Sequence, residues 1–152
     1  MAHETLTDFF REKKAKTSEG IDWKAEKDAW VKAVNDLYDK IEREYLAGPV
    51  AEGLVRVSKR QRTLVEDFIN EPYQVNELVL QVNDEDVYFR PKGRIIVGAS
   101  GRVDIAGEMG TRTMVLRPGQ GWGIVVERTP TLKIVPLDEG SLLAALKDVM
   151  RG

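Results

Sequence analysis

The sequence predicts an α+β fold: an N-terminal helical arm, then an antiparallel β barrel or sandwich of about seven strands, and a C-terminal helix. Three observations support this prediction. The apolar residues follow a helical period up to residue 47, the period changes to two after Pro49, and turn signals then recur at intervals of about 8 to 15 residues. Turns this close leave no room for crossover helices, so the strands are expected to pair antiparallel.

The helical arm is predicted from Asp22 to Ala47. Its apolar residues fall on one stripe of a helix, at Trp23, Trp30, Val34, Leu37, Ile41 and Tyr45. Asp22 is predicted to be the N-cap. Gly48 is expected to end the helix and Pro49 not to continue it. We assign residues 1–48 to the arm and residues 49–152 to the β domain, and expect both to form one structural unit.

The β domain is predicted from short apolar or alternating segments between clusters of turn residues. The predicted strands are residues 55–65, 78–82, 87–90, 94–97, 103–105, 113–117, 122–127 and 132–135. A final amphipathic helix is predicted from Leu142, Leu146 and Val149, with acidic residues at its start and Lys147 near its end.

About seven strands followed by one helix resembles the layout of a pleckstrin-homology-like barrel, in which the helix plugs an open end. The resemblance is one of layout only, because no motif in the chain identifies a family. Layout alone carries no function, since one fold hosts many activities.

Composition excludes several classes of chemistry. The 152 residues include no cysteine and one histidine, His3, near the N-terminus. Thiolate nucleophiles, zinc sites of cysteine and histidine, and nearly all catalytic triads are therefore not expected, and no cofactor is predicted. The net charge of −2 gives no general attraction to nucleic acid. We find neither a signal peptide nor an apolar run long enough to span a bilayer, and we expect a cytoplasmic protein.

Three charged patterns were weighed as sites. Asp84-Glu85-Asp86 offers oxygen ligands for a divalent cation, but a solvated turn is favoured. Asp104 is expected to pair with a neighbouring arginine. Lys59-Arg60-Gln61-Arg62 is the one basic concentration, with Trp122 as a candidate platform for a nucleic-acid base. If residues 59–62 form a strand, this cluster splits between two faces, so nucleic-acid binding is unlikely.

The preferred functional interpretation is a non-enzymatic module that binds a protein or another ligand. Its partner, or a second copy of the chain in a homo-oligomer, is expected to contact the helical stripe of Trp23, Trp30, Val34, Leu37, Ile41 and Tyr45, because so large an uncovered apolar patch is unusual on a soluble monomer. The alternative is that the arm folds back on its own β domain and that the stripe is part of the core. A carboxylate- and arginine-based hydrolase or transferase, with or without a metal, is the second interpretation, and a weak nucleic-acid binder the third.

Overall fold

The computed structural model describes residues 5–11, 23–66, 71–93 and 101–152. Within these ranges four α-helices flank seven strands. The elements are α1 (residues 6–11), α2 (Trp23–Lys40), a π-helical segment (Ile41–Leu46), α3 (Ala47–Ala51), β1 (Arg56–Leu64), β2 (Tyr73–Val82), β3 (Glu85–Gly93), β4 (Gly101–Gly107), β5 (Gly110–Arg117), β6 (Gly121–Glu127), β7 (Lys133–Pro136) and α4 (Glu139–Val149). The predicted strand at residues 94–97 and the predicted cap at Asp22 lie outside the described residues.

The seven strands form one antiparallel meander in which spatial order equals chain order. This confirms the predicted antiparallel sheet between N-terminal and C-terminal helices. In the described part of the chain β1 pairs only with β2, and β7 only with β6, so the sheet is open rather than closed into a barrel. The predicted turn at Asn83 is a two-residue hairpin, and Asn83 has a φ of 56°, a left-handed conformation that asparagine tolerates.

The long helix does not end at Gly48 as the sequence predicts. It passes through the π-helical segment and continues as α3 to Ala51. The π-helical segment rearranges the hydrogen bonds just before Pro49, so the proline falls in the first turn of α3, where a backbone N–H is not needed. Gly53, two residues after the last helical residue Ala51, terminates the helix instead. Gly53 has a φ of 72°, its N–H donates to the Val50 carbonyl, and the Leu54 N–H donates to Pro49, which is a Schellman ending.

Both long helices cover the same face of the sheet, here called the helix-covered face. The register of the strands places the apolar side chains of five strands on that face. They are Leu78, Leu80, Val87, Phe89, Val103, Ile105, Met114 and Ile124, and all belong to one buried cluster with residues of α2 and α4. The helical arm and the β domain therefore share one hydrophobic core.

Two glycines allow the helices to approach the sheet closely. A Cβ on Gly101 would lie 2.2 Å from the Trp30 ring, and a Cβ on Gly107 would lie 2.3 Å from the Val149 carbonyl oxygen. Both distances are far below van der Waals contact. Because these glycines have no side chain, Trp30 of α2 can pack directly on Gly101, and the C-terminal end of α4 can pack directly on Gly107.

Tyr38 of α2 reaches the point where β2 and β3 stop pairing. The last paired residues before the separation are Leu78 and Phe89. The Tyr38 hydroxyl lies 2.8 Å from the Asn76 carbonyl oxygen and 3.1 Å from that of Phe89. Burial, reinforced by the charge of Glu77, raises the pKa of Tyr38 well above its ordinary range, so the hydroxyl stays protonated and donates. Its single proton satisfies one of these two carbonyl oxygens, at the point where β2 and β3 separate.

The C-terminal helix confirms the prediction and is anchored at both ends. Asp138 and Ser141 form a capping box, with the Ser141 N–H donating to the Asp138 carboxylate at 2.7 Å. Beyond the helix, Glu85 accepts the backbone N–H of Arg151 at 2.6 Å. The Arg151 side chain forms ion pairs with Asp84 and Glu108, each at 2.8 Å. These contacts tie the end of α4 to the β2–β3 and β4–β5 turns.

Candidate anion-binding face

The second face of the sheet carries an unusual density of charged side chains. Alternation along each strand and the register between strands place them together. Arg60 of β1 lies opposite Glu77 of β2, and Arg90 of β3 lies opposite Asp104 of β4. Asp104 in turn lies opposite Thr113 of β5. We call this surface the arginine face and define it by Arg60, Arg62, Glu77, Tyr88, Arg90, Lys92, Arg102, Asp104 and Arg128.

Glu77 is the centre of the arginine face. Its carboxylate accepts hydrogen bonds from Arg60, through Nε at 3.0 Å and also through Nη2, and from Arg62 Nη1 at 3.2 Å. Arg90 Nε approaches the same carboxylate at 3.6 Å. Only 2% of the Glu77 side chain is exposed, whereas Arg60, Arg62 and Arg90 are 58%, 38% and 35% exposed. The negative charge is therefore covered and the positive charges face solvent.

Tyr88 holds two of these arginines in place. The guanidinium carbon of Arg90 lies 4.3 Å from the centre of the Tyr88 ring, and that of Arg60 lies 5.2 Å from it. Both distances are typical of cation–π contacts. The Tyr88 hydroxyl donates to Asp86 at 3.3 Å. The ring thus orients Arg60 and Arg90 beside Glu77, and it is itself covered by cations.

Asp104 forms a second, smaller ion pair on the same face. Arg102, two residues along β4, donates to it from Nε at 2.8 Å and from Nη2 at 3.1 Å. The Thr113 hydroxyl lies 3.3 Å from Asp104 and accepts from Arg128 at 2.9 Å. The hydrogen bond with Asp104 raises the pKa of Arg102, which keeps the guanidinium charged. The prediction that Asp104 pairs with a neighbouring arginine is confirmed.

The basic segment of β1 divides between the two faces, as predicted for a strand. Arg60 and Arg62 lie on the arginine face with Glu77. Lys59 points the other way and forms ion pairs with Asp39 at 3.5 Å and Glu42 at 3.6 Å. Lys59 therefore helps to hold the long helix on the sheet, and it is not part of the charged surface on the arginine face.

The aromatic platform considered for nucleic-acid binding lies on the wrong face. Trp122 packs against Trp30 of α2, with ring centres 6.1 Å apart. It therefore belongs to the helix-covered face. The aromatic ring on the arginine face is Tyr88, and its faces are occupied by guanidinium groups. Neither ring offers an open surface to a base beside the arginines.

The predicted partner-binding stripe packs inside its own chain. Trp30, Val34, Leu37 and Ile41 are buried in the common core, with exposures of 3%, 0%, 2% and 0%. Tyr45 is partly buried against the same core, and the Trp23 side chain lies outside the described residues. This arrangement corresponds to the alternative in which the arm folds back on the β domain. The physical reason is that the apolar sheet face needs a cover, and the stripe supplies it.

The acidic turn Asp84-Glu85-Asp86 is occupied by protein donors. Asp84 and Glu85 bind Arg151, and Asp86 accepts from Tyr88. In the described ranges no three aspartate, glutamate, histidine or cysteine side chains come together as a metal site would require. The carboxylates of this turn therefore anchor α4 and Tyr88.

Sequence reasoning missed Glu77 and Tyr88, the two residues that organise the arginine face. Glu77 carried a signal: it is the one charged residue of β2, and a charge buried in a strand needs a partner. Its partners were not readable, because they come from β1 and β3. Tyr88 carried no comparable signal.

Comparison with known proteins adds no family to this description. The chain matches no protein-family model, and no curated protein or solved structure is significantly similar to it. Among the helices that the structure describes, none is long and apolar enough to cross a membrane.

Proposed function

We propose that the chain is a non-enzymatic binding module whose arginine face binds a negatively charged partner. One observation carries the proposal: three arginines from two strands converge on a single buried carboxylate and remain partly exposed. Within this group the positive charges outnumber the negative charge by three to one. A chain of net charge −2 thus concentrates positive charge on one side of its sheet.

Folding accounts for only part of this concentration, because the buried Glu77 carboxylate needs one cationic partner rather than three. Partly exposed ion pairs contribute about 0 to 1 kcal/mol each to stability. The helix-covered face already buries the apolar core. Arginine is the residue best suited to recognising carboxylates and phosphates, because its planar fork donates two parallel hydrogen bonds. A partner carrying such groups is therefore the occupant that the side chains favour.

A binding role is also favoured over the hydrolase or transferase interpretation. Three carboxylates lie on this side of the sheet: Glu77 and Asp104 accept hydrogen bonds from guanidinium groups, and Asp86 accepts one from the Tyr88 hydroxyl. A carboxylate held in this way serves to position cations. A general base needs an oxygen directed at a substrate proton.

Poly-L-glutamate is a suitable probe for this proposal. We expect the wild-type chain to bind it, and the affinity to fall as salt is raised. Arg62→Glu is expected to lower the affinity by about tenfold or more, because it reverses a charge at the centre of the face. Arg112→Glu is the matched control, since Arg112 pairs with Asp148 of α4 away from the arginine face. Absence of wild-type binding, or an equal loss in both variants, would refute the proposal.

A further inference from the structure

The arginine face has a shallow depression at its centre, beside Glu77. It is lined by Arg60, Gln61, Arg62, Glu77, Arg90 and Lys92. Four of these six residues are cationic and one is anionic, so the lining carries three positive charges in excess. We infer that this depression is a binding site for a phosphate group, either as free phosphate or as a phosphate ester. This inference rests on the proposed function and specifies the ligand of the same surface.

The hydrogen-bond donors of the depression are only partly used. A guanidinium carries five N–H donors. Arg60 directs two nitrogens at one oxygen of Glu77, and Arg62 directs one nitrogen at the other oxygen. Arg90 Nε is buried without a hydrogen-bond partner in the described part of the chain, because its 3.6 Å distance to Glu77 is too long for a hydrogen bond. The donors open to a second, external anion are therefore the outer N–H groups of the partly exposed guanidiniums, such as those of Arg62 and Arg90.

The arginines are also held in place before any ligand arrives. Glu77 is almost completely buried and cannot follow a ligand into solvent. The Tyr88 ring lies beside the Arg60 and Arg90 guanidinium groups. Binding an anion then costs less side-chain entropy than it would with free arginines.

The charge balance favours phosphate over a single carboxylate. One carboxylate, Glu77, leaves most of the positive charge of the lining unmatched. A phosphate monoester carries about −1.5 to −2 charges at pH 7 and three strong acceptor oxygens. These oxygens match guanidinium forks that approach from β1 and β3. An isolated carboxylate supplies one charge and two oxygens to the same donors.

The test is a titration followed by the NMR signals of the backbone amides and of the arginine Nε–Hε groups. Inorganic phosphate is added at constant ionic strength, in place of chloride. We expect saturable shifts confined to β1, β2 and β3, including the Nε–Hε signals of Arg60 and Arg90. A parallel titration with phenyl phosphate compares the two sources: tighter binding of phenyl phosphate indicates an ester, and tighter binding of inorganic phosphate indicates the free ion.

Arg90→Lys tests whether the phosphate site needs the guanidinium fork of Arg90. The lysine keeps the positive charge but loses the planar fork. We expect phosphate affinity to fall by about fivefold or more, while the poly-L-glutamate titration of the wild-type chain tests the proposed function separately. Arg112→Gln, a control away from the site, should bind phosphate like the wild type. Linear shifts without saturation, or an Arg90→Lys variant that binds phosphate like the wild type, would overturn the phosphate site and leave the proposed function standing.

Discussion

The two faces of the sheet differ in composition, apolar on one side and charged on the other, and they contribute differently to the stability of the protein. The helix-covered face buries large apolar residues such as Phe89, Ile105 and Met114, each fully buried. The arginine face carries ion pairs whose cations remain in contact with water. Burying one large apolar side chain stabilises by about 1.5 to 3 kcal/mol, whereas a partly exposed ion pair gives about 0 to 1 kcal/mol. The first face therefore contributes most of the stability of the fold, and the second contributes little and keeps its cations exposed to solvent.

Leu37→Glu gives the largest expected effect and tests which face holds the fold together. Leu37 is 2% exposed within the common core, so an ionised carboxylate there has no partner. We expect a loss of more than about 4 kcal/mol in the free energy of unfolding, enough to unfold the chain. Circular dichroism with urea denaturation measures it. Arg62→Glu, which places the same charge on the arginine face, should stay folded.

A folded Leu37→Glu variant with a reduced sedimenting mass would break this comparison. It would show that the stripe of α2 faces a second chain, as the sequence first suggested. The core assignment of Leu37 would then have to be abandoned.

Gly101→Ala tests the close approach of α2 to the helix-covered face. The added methyl group would lie 2.2 Å from the Trp30 ring, and a large buried ring has little room to move. We expect a loss of about 1 to 3 kcal/mol from overpacking. Gly48→Ala is the matched control: it lies in α3 with open space around it, and it should stabilise by about 0.5 to 1 kcal/mol. Thermal denaturation of both variants measures the difference. Equal changes in the two would refute the close packing of Trp30.

Glu77→Gln tests the organisation of the arginine face. The change removes the charge that holds three arginines together, but it leaves no buried cation, since all three remain partly exposed. We therefore expect a moderate loss of about 1 to 3 kcal/mol, measured by urea denaturation. Arg112→Gln breaks an exposed ion pair and should cost less than about 0.5 kcal/mol. An unchanged stability of Glu77→Gln would mean that Glu77 does not organise the face.

The smallest effect concerns the anchor of α4 and depends on pH. The hydrogen bond and the charge of Arg151 lower the pKa of Asp84 below its usual value of 3.8. A carboxylate with a lowered folded pKa stabilises above the unfolded value, and this contribution is lost as pH falls through the folded pKa. Arg151→Gln should return the pKa of Asp84 toward 3.8 and remove this acid-side dependence. An NMR titration of the carboxyl carbon measures it, and an unchanged pKa would exclude the ion pair.

The sequence alone predicted the long helix, the C-terminal helix and the antiparallel pairing of the strands. The helical stripe of α2, the alternating strands and the spacing of turns are local patterns, and local sterics and hydrogen bonding act on neighbours in the chain. The end of the long helix was misread at Gly48 because a π-helical segment, which depends on packing of Ile41 and Leu46 in the core, precedes Pro49. That packing is not a local property.

Only the tertiary structure decided which residues each surface brings together. The stripe of Trp30, Val34, Leu37 and Ile41 is equally suited to a partner or to the chain's own sheet, and in the fold these residues are buried against the apolar face of that sheet. The arginine face likewise cannot be predicted from the sequence alone. Arg60 and Arg90 meet at Glu77 because β1 and β3 flank β2, and the pairing of strands brings together charges far apart in sequence. Charge interactions depend on distance in space, and the fold sets that distance.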